Sequence, residues 1–331
     1  MKIAFFEIED WEKEEIKKQI KGHQLLFLDK ELTKKNVSKV SDVDIISVFI
    51  YSEIGKDVIS EFKNLKAIVT RSTGFDHIDI KECNKRKINV LNVPHYGENT
   101  VAEHTFALIL ALAKNLLKSC DRTRKGSFSF EGLQGLDLMG KTIGIIGMGR
   151  IGGHVAKIAN GFEMKVIAYS PHRDQKLAKK LKFKYTTLDD LLKKSDIITL
   201  HAPYNKQTHH MINMKNIMKI KKGAYLINAA RGGLIDTGAL LKALNNKTLA
   251  GVGLDVLEEE DLLKNKPRKR LSREERSTLT ENHRLLKYDN VVITPHNAFN
   301  TKGALSRILN TTIENIKSVI SGKIKNENQI K

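Results

Sequence analysis

Short apolar segments alternate with amphipathic charged segments along almost the whole chain, and this alternation constrains the fold more than any other feature. Segments with helical spacing separate ten apolar runs, which have the length and the Gly, Pro, Asn or Asp flanks typical of β-strands. The runs are KIAFFEI, DIISVFIY, KAIVTRS, INVLNVP, TIGIIGMG, KVIAYS, DIITLHAP, AYLINAA, AGVGLDV and NVVITPH. Such alternation predicts βαβ units and parallel sheets that helices cover on both faces.

The number of strands bears on the number of domains. Ten strands are many for one open sheet, and 331 residues correspond to about two domains. We therefore expect an α/β fold with two doubly wound parallel-sheet domains, connected by one long helix from about Asn99 to Arg124. Residues 258–290 lack a strand pattern. They are either a solvated, partly helical excursion or a loop near the active site, because candidate catalytic residues lie at both of their ends.

The charge and the cysteine count narrow the function classes. Lys and Arg number 57 and Asp and Glu 38, a net charge of +19. Such a chain attracts anions, but its basic residues are scattered, and we expect no specific nucleic-acid partner. Cys83 and Cys120 are too few for a disulfide framework or a zinc cluster, so we expect a cytoplasmic protein without a structural metal. The apolar stretch 106–117 is shorter than the ~20 residues of a membrane span, so we expect no membrane partner.

A glycine-rich loop follows the apolar run TIGII. Gly147, Gly149 and Gly152 form the pattern G-x-G-x-x-G between a predicted strand and a predicted helix. In this pattern the first glycine permits a tight turn, the second lets backbone amides approach a pyrophosphate, and the third lets the helix pack close to the strand. The helix N-terminus then favours the phosphate charge. The context predicts a dinucleotide-binding domain.

The residue that would contact the adenosine ribose departs from the usual pattern. Dinucleotide folds that use NAD commonly have Asp or Glu at the end of the second strand, where it binds the ribose 2′-hydroxyl. Here Ser170 stands 18 residues after Gly152, and Arg173 follows it. The absence of a carboxylate removes repulsion against a 2′-phosphate, and Arg173 could pair with one. Either NADP is accepted, or Ser170 binds the ribose and NAD is used.

Three polar residues follow predicted strands after the cofactor loop and suit the reduction of a 2-oxo acid. Such a reaction needs a hydride from a nicotinamide, a proton donor and a cation for the carboxylate. His296 follows NVVIT and would be the proton donor, and the base in the reverse direction. Glu260 would orient its ring and favour its charged form. Arg231 would hold the carboxylate and polarise the carbonyl. By contrast, we interpret two other histidines, His209 and His210, as surface or packing residues.

The chain resembles the D-isomer-specific 2-hydroxyacid dehydrogenases over nearly its full length, and most closely their D-lactate dehydrogenase branch. The matching segments are RSTGFDHID, GENTVAEHTFALIL, GKTIGIIGMGRIG, LHAPYNKQTHHMIN, LINAARGGLIDTGAL, GLDVLEEE and VVITPHNAF. The family's Arg–Glu–His trio falls on Arg231, Glu260 and His296. The resemblance implies hydride transfer between NAD(P) and a small 2-hydroxy or 2-oxo acid such as pyruvate.

The resemblance also implies further site residues. The substrate carboxylate would contact Thr73 and Gly74, and Tyr96 and Tyr51 would line the same site. Asp255 would lie near the nicotinamide. The remaining implied cofactor contacts are Val101, Arg150, Ile151, Ala202, Pro203, Thr208, Ala229 and Ala230.

The domain arrangement implied by the resemblance is discontinuous. A flavodoxin-like substrate domain would comprise residues 1–99 and 298–331, and a Rossmann cofactor domain residues 100–297. Family members are usually dimers, with the helix near residues 100–125 at the interface. Two alternatives stay open: a glyoxylate or hydroxypyruvate reductase, and a dinucleotide-sensing protein similar to the C-terminal-binding-protein corepressors.

Overall fold

The computed structural model describes residues 1–264, 271–324 and 326–330. In this part of the chain the strands are β1 (Lys2–Phe6), β2 (Gln24–Leu28), β3 (Ile45–Val48), β4 (Ala67–Thr70), β5 (Asn89–Leu91), β6 (Thr142–Ile146), β7 (Lys165–Tyr169), β8 (Lys184–Tyr185), β9 (Ile197–Leu200), β10 (Ala224–Asn228), β11 (Leu249–Leu254), β12 (Val291–Ile293) and β13 (Gln329–Ile330). The ten predicted strands are all present, and β2, β8 and β13 are additional.

The α-helices of the same residues alternate with the strands. They are α1 (Asp10–Gln19), α2 (Lys56–Ile59), α3 (Ile80–Lys85), α4 (Glu98–Ala113), α5 (Leu116–Arg124), α6 (Arg150–Gly161), α7 (Gln175–Lys180), α8 (Leu188–Lys194), α9 (Thr237–Asn245), α10 (Asp261–Lys264), α11 (Arg273–Leu285) and α12 (Lys302–Ile320). The α/β class predicted from the sequence is confirmed.

The chain divides into two units, residues 1–96 with 301–331 and residues 97–300. The predicted junctions, at 99/100 and 297/298, lie three residues from each observed division. The first unit holds a six-stranded sheet in the order β13-β5-β4-β3-β1-β2, in which β1 to β5 are parallel and β13 is antiparallel. The order of its parallel strands is that of flavodoxin-like folds.

Both faces of the first sheet are covered. Along β1, Ile3 and Phe5 pack with apolar residues of α1 and α12. Ala4 and Phe6 point to the opposite face and pack with residues of α2 and α3. Since successive side chains of a strand alternate between faces, this is the burial expected of a doubly wound sheet.

The second unit holds a seven-stranded parallel sheet in the order β12-β11-β10-β9-β6-β7-β8. Renumbered from its first strand, this is the dinucleotide-binding order 3-2-1-4-5-6 with one strand added. Ile143 and Ile145 of β6 pack with α4 and α6, whereas Ile146 faces a core that includes α8 and α9. The cofactor loop therefore lies at the point where the strand order reverses.

The predicted single helix from Asn99 to Arg124 is wrong. α4 ends at Ala113 and α5 begins at Leu116, with an angle of 62° between them. Asn115 separates them with a left-handed φ of 49°, a conformation that asparagine tolerates better than most residues, and its amide donates to the Gln134 carbonyl at 2.9 Å. Within the described ranges no single helix is long and apolar enough to cross a membrane, although α4 and α5 pass that test when taken together.

The segment 258–290 contains α10 and α11, and α11 packs against α9 in the second unit. The predicted partly helical character is thus observed for its described part, while residues 265–270 lie outside the described residues. Asn282 of α11 is fully buried and donates through Nδ2 to the Glu258 carbonyl at 2.7 Å. The helix is therefore tied to the turn that precedes Glu260.

Candidate active site

The trio predicted from the sequence follows three neighbouring strands. Arg231 comes three residues after β10, Glu260 six residues after β11, and His296 three residues after β12. Because β10, β11 and β12 are adjacent and parallel, their carboxyl ends lie at one edge of the second sheet. Ligands of open α/β sheets bind at this edge.

His296 and Glu260 form a hydrogen-bonded pair. Nδ1 of His296 lies 2.5 Å from Oε1 of Glu260, and the two side chains keep 23% and 21% of their accessible surface. The second carboxylate oxygen of Glu260 accepts from the backbone N–H of Leu257 at 3.3 Å, which orients the carboxylate. With Nδ1 engaged, Nε2 is the ring atom available to exchange a proton with a substrate.

Asp255 holds the loop that carries His296. Its buried carboxylate, 1% exposed, accepts from the Thr294 hydroxyl at 2.6 Å, from the Asn297 N–H at 3.0 Å and from the Ala298 N–H at 2.9 Å. Burial by itself would raise the pKa of Asp255, but hydrogen bonds from His104, Thr294 and the two backbone amides outweigh it and lower the pKa. The carboxylate is therefore ionised and anchors the loop, in which His296 has a left-handed φ of 54°.

Arg231 lies in a turn stabilised by Asn228. The buried Asn228 side chain accepts from the Ala230 N–H at 3.0 Å and donates to the Arg231 carbonyl at 2.8 Å. The next residue, Gly232, approaches another segment closely, because a Cβ there would lie 2.1 Å from the backbone carbonyl of Leu257. The segments carrying Arg231 and Glu260 are thus in backbone contact.

The glycine loop has the geometry that a dinucleotide requires. A Cβ on Gly147, whose φ is 96°, would lie 2.6 Å from the backbone of His201 and Ala202, and one on Gly152 would lie 2.3 Å from the Gly147 carbonyl oxygen. Gly149 is the N-cap of α6, and a Cβ there would meet no atom within 4 Å. The loop is packed against the protein on one side and open at the helix N-terminus, where a pyrophosphate fits.

His201 is a candidate cofactor residue that sequence reasoning missed. It follows β9, its Nε2 lies 2.9 Å from the Thr199 hydroxyl, and its buried Nδ1 has no hydrogen-bond partner among the described residues. Burial lowers the pKa of His201 to about 3, so the imidazole is neutral. Its backbone contact with Gly147 places it beside the glycine loop. The available signal was its position at a strand end, directly before the predicted contacts Ala202 and Pro203.

Of the two residues predicted near the adenosine ribose, Ser170 adjoins the same loop. The Gly147 N–H donates to the Tyr169 carbonyl at 2.8 Å, so the end of β7 and Ser170 adjoin the first glycine. Arg173 is exposed. The carboxylate of Asp174 caps α7 by accepting from the N–H groups of Lys176 and Leu177. Asp174 is therefore committed to the helix cap.

The remaining predicted cofactor contacts surround the central strands of this sheet. Ala202, Pro203 and Thr208 follow β9; Ala229 and Ala230 follow β10; Arg150 and Ile151 begin α6; and Val101 lies in the first turn of α4. The Thr208 hydroxyl donates to the Pro203 carbonyl at 2.6 Å, which closes the turn after β9. Since β6, β9 and β10 are neighbours, the residues that follow them share one edge of the second sheet.

The predicted substrate contacts share the corresponding edge of the first sheet. Tyr51, Thr73 and Tyr96 follow β3, β4 and β5, which are adjacent and parallel. The Thr73 hydroxyl donates to the Val93 carbonyl at 2.9 Å, and the Gly74 carbonyl accepts from the Ser72 hydroxyl at 2.6 Å. These bonds shape the turn after β4, and Tyr51, which follows the neighbouring strand β3, is 49% exposed.

The known proteins that are similar to this chain include 2-hydroxyacid dehydrogenases and a glyoxylate reductase. A family model described as the NAD-binding domain of D-isomer-specific 2-hydroxyacid dehydrogenases matches residues 106–298. A 2-hydroxyacid dehydrogenase homolog of Zymomonas mobilis is 38% identical, covering 98% of this chain and 98% of its own. A glyoxylate reductase of Thermofilum pendens is 38% identical over 86% of this chain and 80% of its own. The structure of D-lactate dehydrogenase from Aquifex aeolicus, complexed with NAD and lactic acid, is 39% identical with a TM-score of 0.87, covering 97% and 96% of the two chains.

Proposed function

This chain belongs to the D-isomer-specific 2-hydroxyacid dehydrogenase family, and on that premise we propose that it reduces pyruvate to D-lactate with a nicotinamide cofactor. The family resemblance inferred from the sequence is confirmed. The observation that carries the proposal is the 2.5 Å hydrogen bond between His296 and Glu260 at the carboxyl edge of the second sheet. The D-lactate dehydrogenase from Aquifex aeolicus supports pyruvate and lactate as the substrate pair.

Each residue of the trio has a defined role in this reaction. The reduced nicotinamide, when bound, supplies the hydride that reaches the carbonyl carbon. His296 donates the proton that the carbonyl oxygen takes up, and Glu260 orients the imidazole ring through its hydrogen bond to Nδ1. Arg231 pairs with the substrate carboxylate and polarises the carbonyl bond. Oxidation of the 2-hydroxy acid runs through the same groups with His296 as the base.

Glyoxylate or hydroxypyruvate reduction is the second candidate within this chemistry. It is supported by the glyoxylate reductase of Thermofilum pendens. Both reactions use the same trio, and specificity depends on the side chains around the substrate. A purely dinucleotide-sensing role, as in the corepressor-like alternative, is disfavoured because it would not need the hydrogen-bonded His296–Glu260 pair.

For the cofactor, the proposal extends to NADP alongside NAD. Ser170 adds no negative charge where a 2′-phosphate would lie, Asp174 is occupied in capping α7, and Arg173 is exposed nearby in sequence. We expect Ser170→Asp to restore a ribose-binding carboxylate and to lower the kcat/KM for NADPH at least about 10-fold relative to that for NADH. An unchanged ratio would contradict a 2′-phosphate contact at this position.

A cytoplasmic homodimer is the proposed assembly. Leu116 and Leu117 of α5 are about half exposed, and Phe128 and Phe130 are 85% and 88% exposed. This apolar surface adjoins the segment that the resemblance places at the family interface, and burial in a second copy would remove it from water. Sedimentation equilibrium of the wild type and of Phe130→Ser measures the assembly. A monomeric wild type would contradict the proposed homodimer.

Initial rates of NADH and NADPH oxidation with pyruvate, glyoxylate and hydroxypyruvate test the proposed reaction. We expect the highest kcat/KM for pyruvate and a decrease of about 10²–10⁴-fold in His296→Ala. His283→Ala, which removes an exposed histidine of α11, is the matched control and should retain full activity. Failure of the wild type with all three acids would refute the proposal, and preference for glyoxylate would establish the second candidate.

A further inference from the structure

His210 bonds to two separate segments of the second unit. Its backbone N–H donates to the Gly233 carbonyl at 2.8 Å, and its Nε2 is hydrogen-bonded to Oε1 of Glu258. Its φ of 47° lies in the left-handed region, which costs free energy in a residue with a side chain. From the sequence, His210 is interpreted as a surface or packing residue. In the structure its side chain is only partly exposed, at 31%, and is held by the carboxylate of Glu258.

Glu258 is itself fixed from three sides. Besides the bond to His210, its Oε2 accepts from the Thr237 hydroxyl at 2.9 Å, and its backbone carbonyl accepts from Asn282 at 2.7 Å. Its side chain is 14% exposed. Since a carboxylate with little exposure needs donors, removal of His210 would leave one oxygen of Glu258 without its strongest partner.

The two segments joined by His210 carry the catalytic groups. Gly233 stands two residues after Arg231, and Glu258 stands two residues before Glu260. The segments also touch directly, because a Cβ on Gly232 would lie within 2.3 Å of the Glu258 backbone nitrogen. With one backbone bond and one side-chain bond, His210 links the turn of the carboxylate-binding arginine to the turn of the residue that orients His296.

We propose that His210 is a positioning residue for the reaction: through Gly233 and Glu258 it sets the spacing between Arg231 and the Glu260–His296 pair. The proposal rests on the proposed function, in which these three groups act on one substrate. We expect His210 to affect kcat rather than cofactor binding. Its two partners, Gly233 and Glu258, lie on the segments that carry Arg231 and Glu260. Errors of about 1 Å in such positions reduce rates by up to about 10²-fold.

Two substitutions separate the side-chain bond from the backbone conformation. His210→Asn keeps a residue that tolerates the left-handed region but has a side chain too short to reach Glu258. His210→Gln places an amide N–H near the position of Nε2 and keeps the reach. We expect kcat to fall about 10–100-fold in the Asn variant with the KM for NADH changed less than about 2-fold, and the Gln variant to recover most of the loss.

The matched control is His209→Asn. His209 stacks on His210 at a centroid distance of 3.8 Å but is hydrogen-bonded to Tyr204 instead of Glu258, so its substitution should leave kcat nearly unchanged. In a Glu258→Gln background, His210→Asn should cost less than in the wild type, because the bond is already weakened. Equal kcat in the wild type and His210→Asn would overturn the proposal, as would an equal loss in His209→Asn.

Amide hydrogen exchange tests the link without any turnover. We expect faster exchange in His210→Asn confined to residues 231–235 and 257–260. Unchanged exchange there, or faster exchange spread over the whole second unit, would overturn the positioning role. If the wild type turned over no 2-oxo acid, the proposed function would fail, and the exchange experiment would still decide whether His210 holds the two segments together.

Discussion

Replacement of Asp255 by Asn tests how the protein holds His296 in place. The carboxylate has four neighbouring donors: the Thr294 hydroxyl, the Asn297 and Ala298 amides, and Nε2 of His104 at 3.4 Å. An asparagine side chain keeps one acceptor oxygen and replaces the other with an NH₂ group. At least one backbone N–H, buried beside a side chain that is 1% exposed, then loses its acceptor.

The expected cost follows from these contacts. An unsatisfied buried donor costs about 1–3 kcal/mol, and the loss of charge from the remaining hydrogen bonds adds roughly 1 kcal/mol. We therefore expect Asp255→Asn to destabilise the second unit by about 2–4 kcal/mol. For a unit of this size, that corresponds to a decrease in Tm of roughly 4–16 °C. Activity should fall as well, because the His296 loop loses its anchor.

Thermal unfolding followed by circular dichroism at neutral pH measures this cost. Asp121→Asn is the matched control, because Asp121 is 61% exposed and forms only a surface pair with Lys125, worth less than about 1 kcal/mol. Because the pKa of Asp255 is lowered in the folded state, its contribution is present above the ordinary value of 3.8 and is lost as the pH falls through the folded pKa. The difference between wild type and variant should therefore shrink in acid. A Tm for Asp255→Asn equal to that of the control would refute the assigned role.

Two further predictions concern the cofactor side of the site. Gly152→Ala should abolish NADH binding and lower the Tm, because the new methyl group would lie 2.3 Å from a backbone carbonyl oxygen. Calorimetric titration with NADH measures the binding. The control is Gly161→Ala, whose methyl group would meet no atom within 4 Å and which should bind NADH normally. Burial lowers the pKa of His201 from an ordinary 6.5 to about 3. The contribution of the neutral His201 side chain to folding stability is therefore present above pH 6.5 and is lost as the pH falls towards 3. The Tm of the wild type should therefore fall more steeply than that of His201→Gln between pH 6.5 and 4.5, and parallel curves would contradict a buried neutral imidazole.

The elements that sequence patterns predicted poorly share a physical cause. β8 and β13 have two residues each, too few to show any periodicity, and they exist as strands only because a neighbouring strand pairs with them. The break at Asn115 was missed because the apolar spacing continues from α4 into α5. The bend depends instead on a hydrogen bond from the Asn115 side chain to the backbone carbonyl of Gln134. Local patterns register amphipathicity, and they do not register contacts with distant backbone.

By itself, the sequence determined the strand–helix alternation, the glycine spacing of the cofactor loop and the polar residues that follow the strands. These are local properties, set by side-chain periodicity and by the steric freedom of glycine. Only the tertiary structure decided that the carboxylate of Asp255 anchors the loop of His296, although the bonded residues are 39 to 43 positions apart in the sequence. The same holds for the hydrogen bond between Glu258 and His210, which are 48 positions apart. Such bonds join segments brought together by sheet order and helix packing, so no local pattern of residues encodes them.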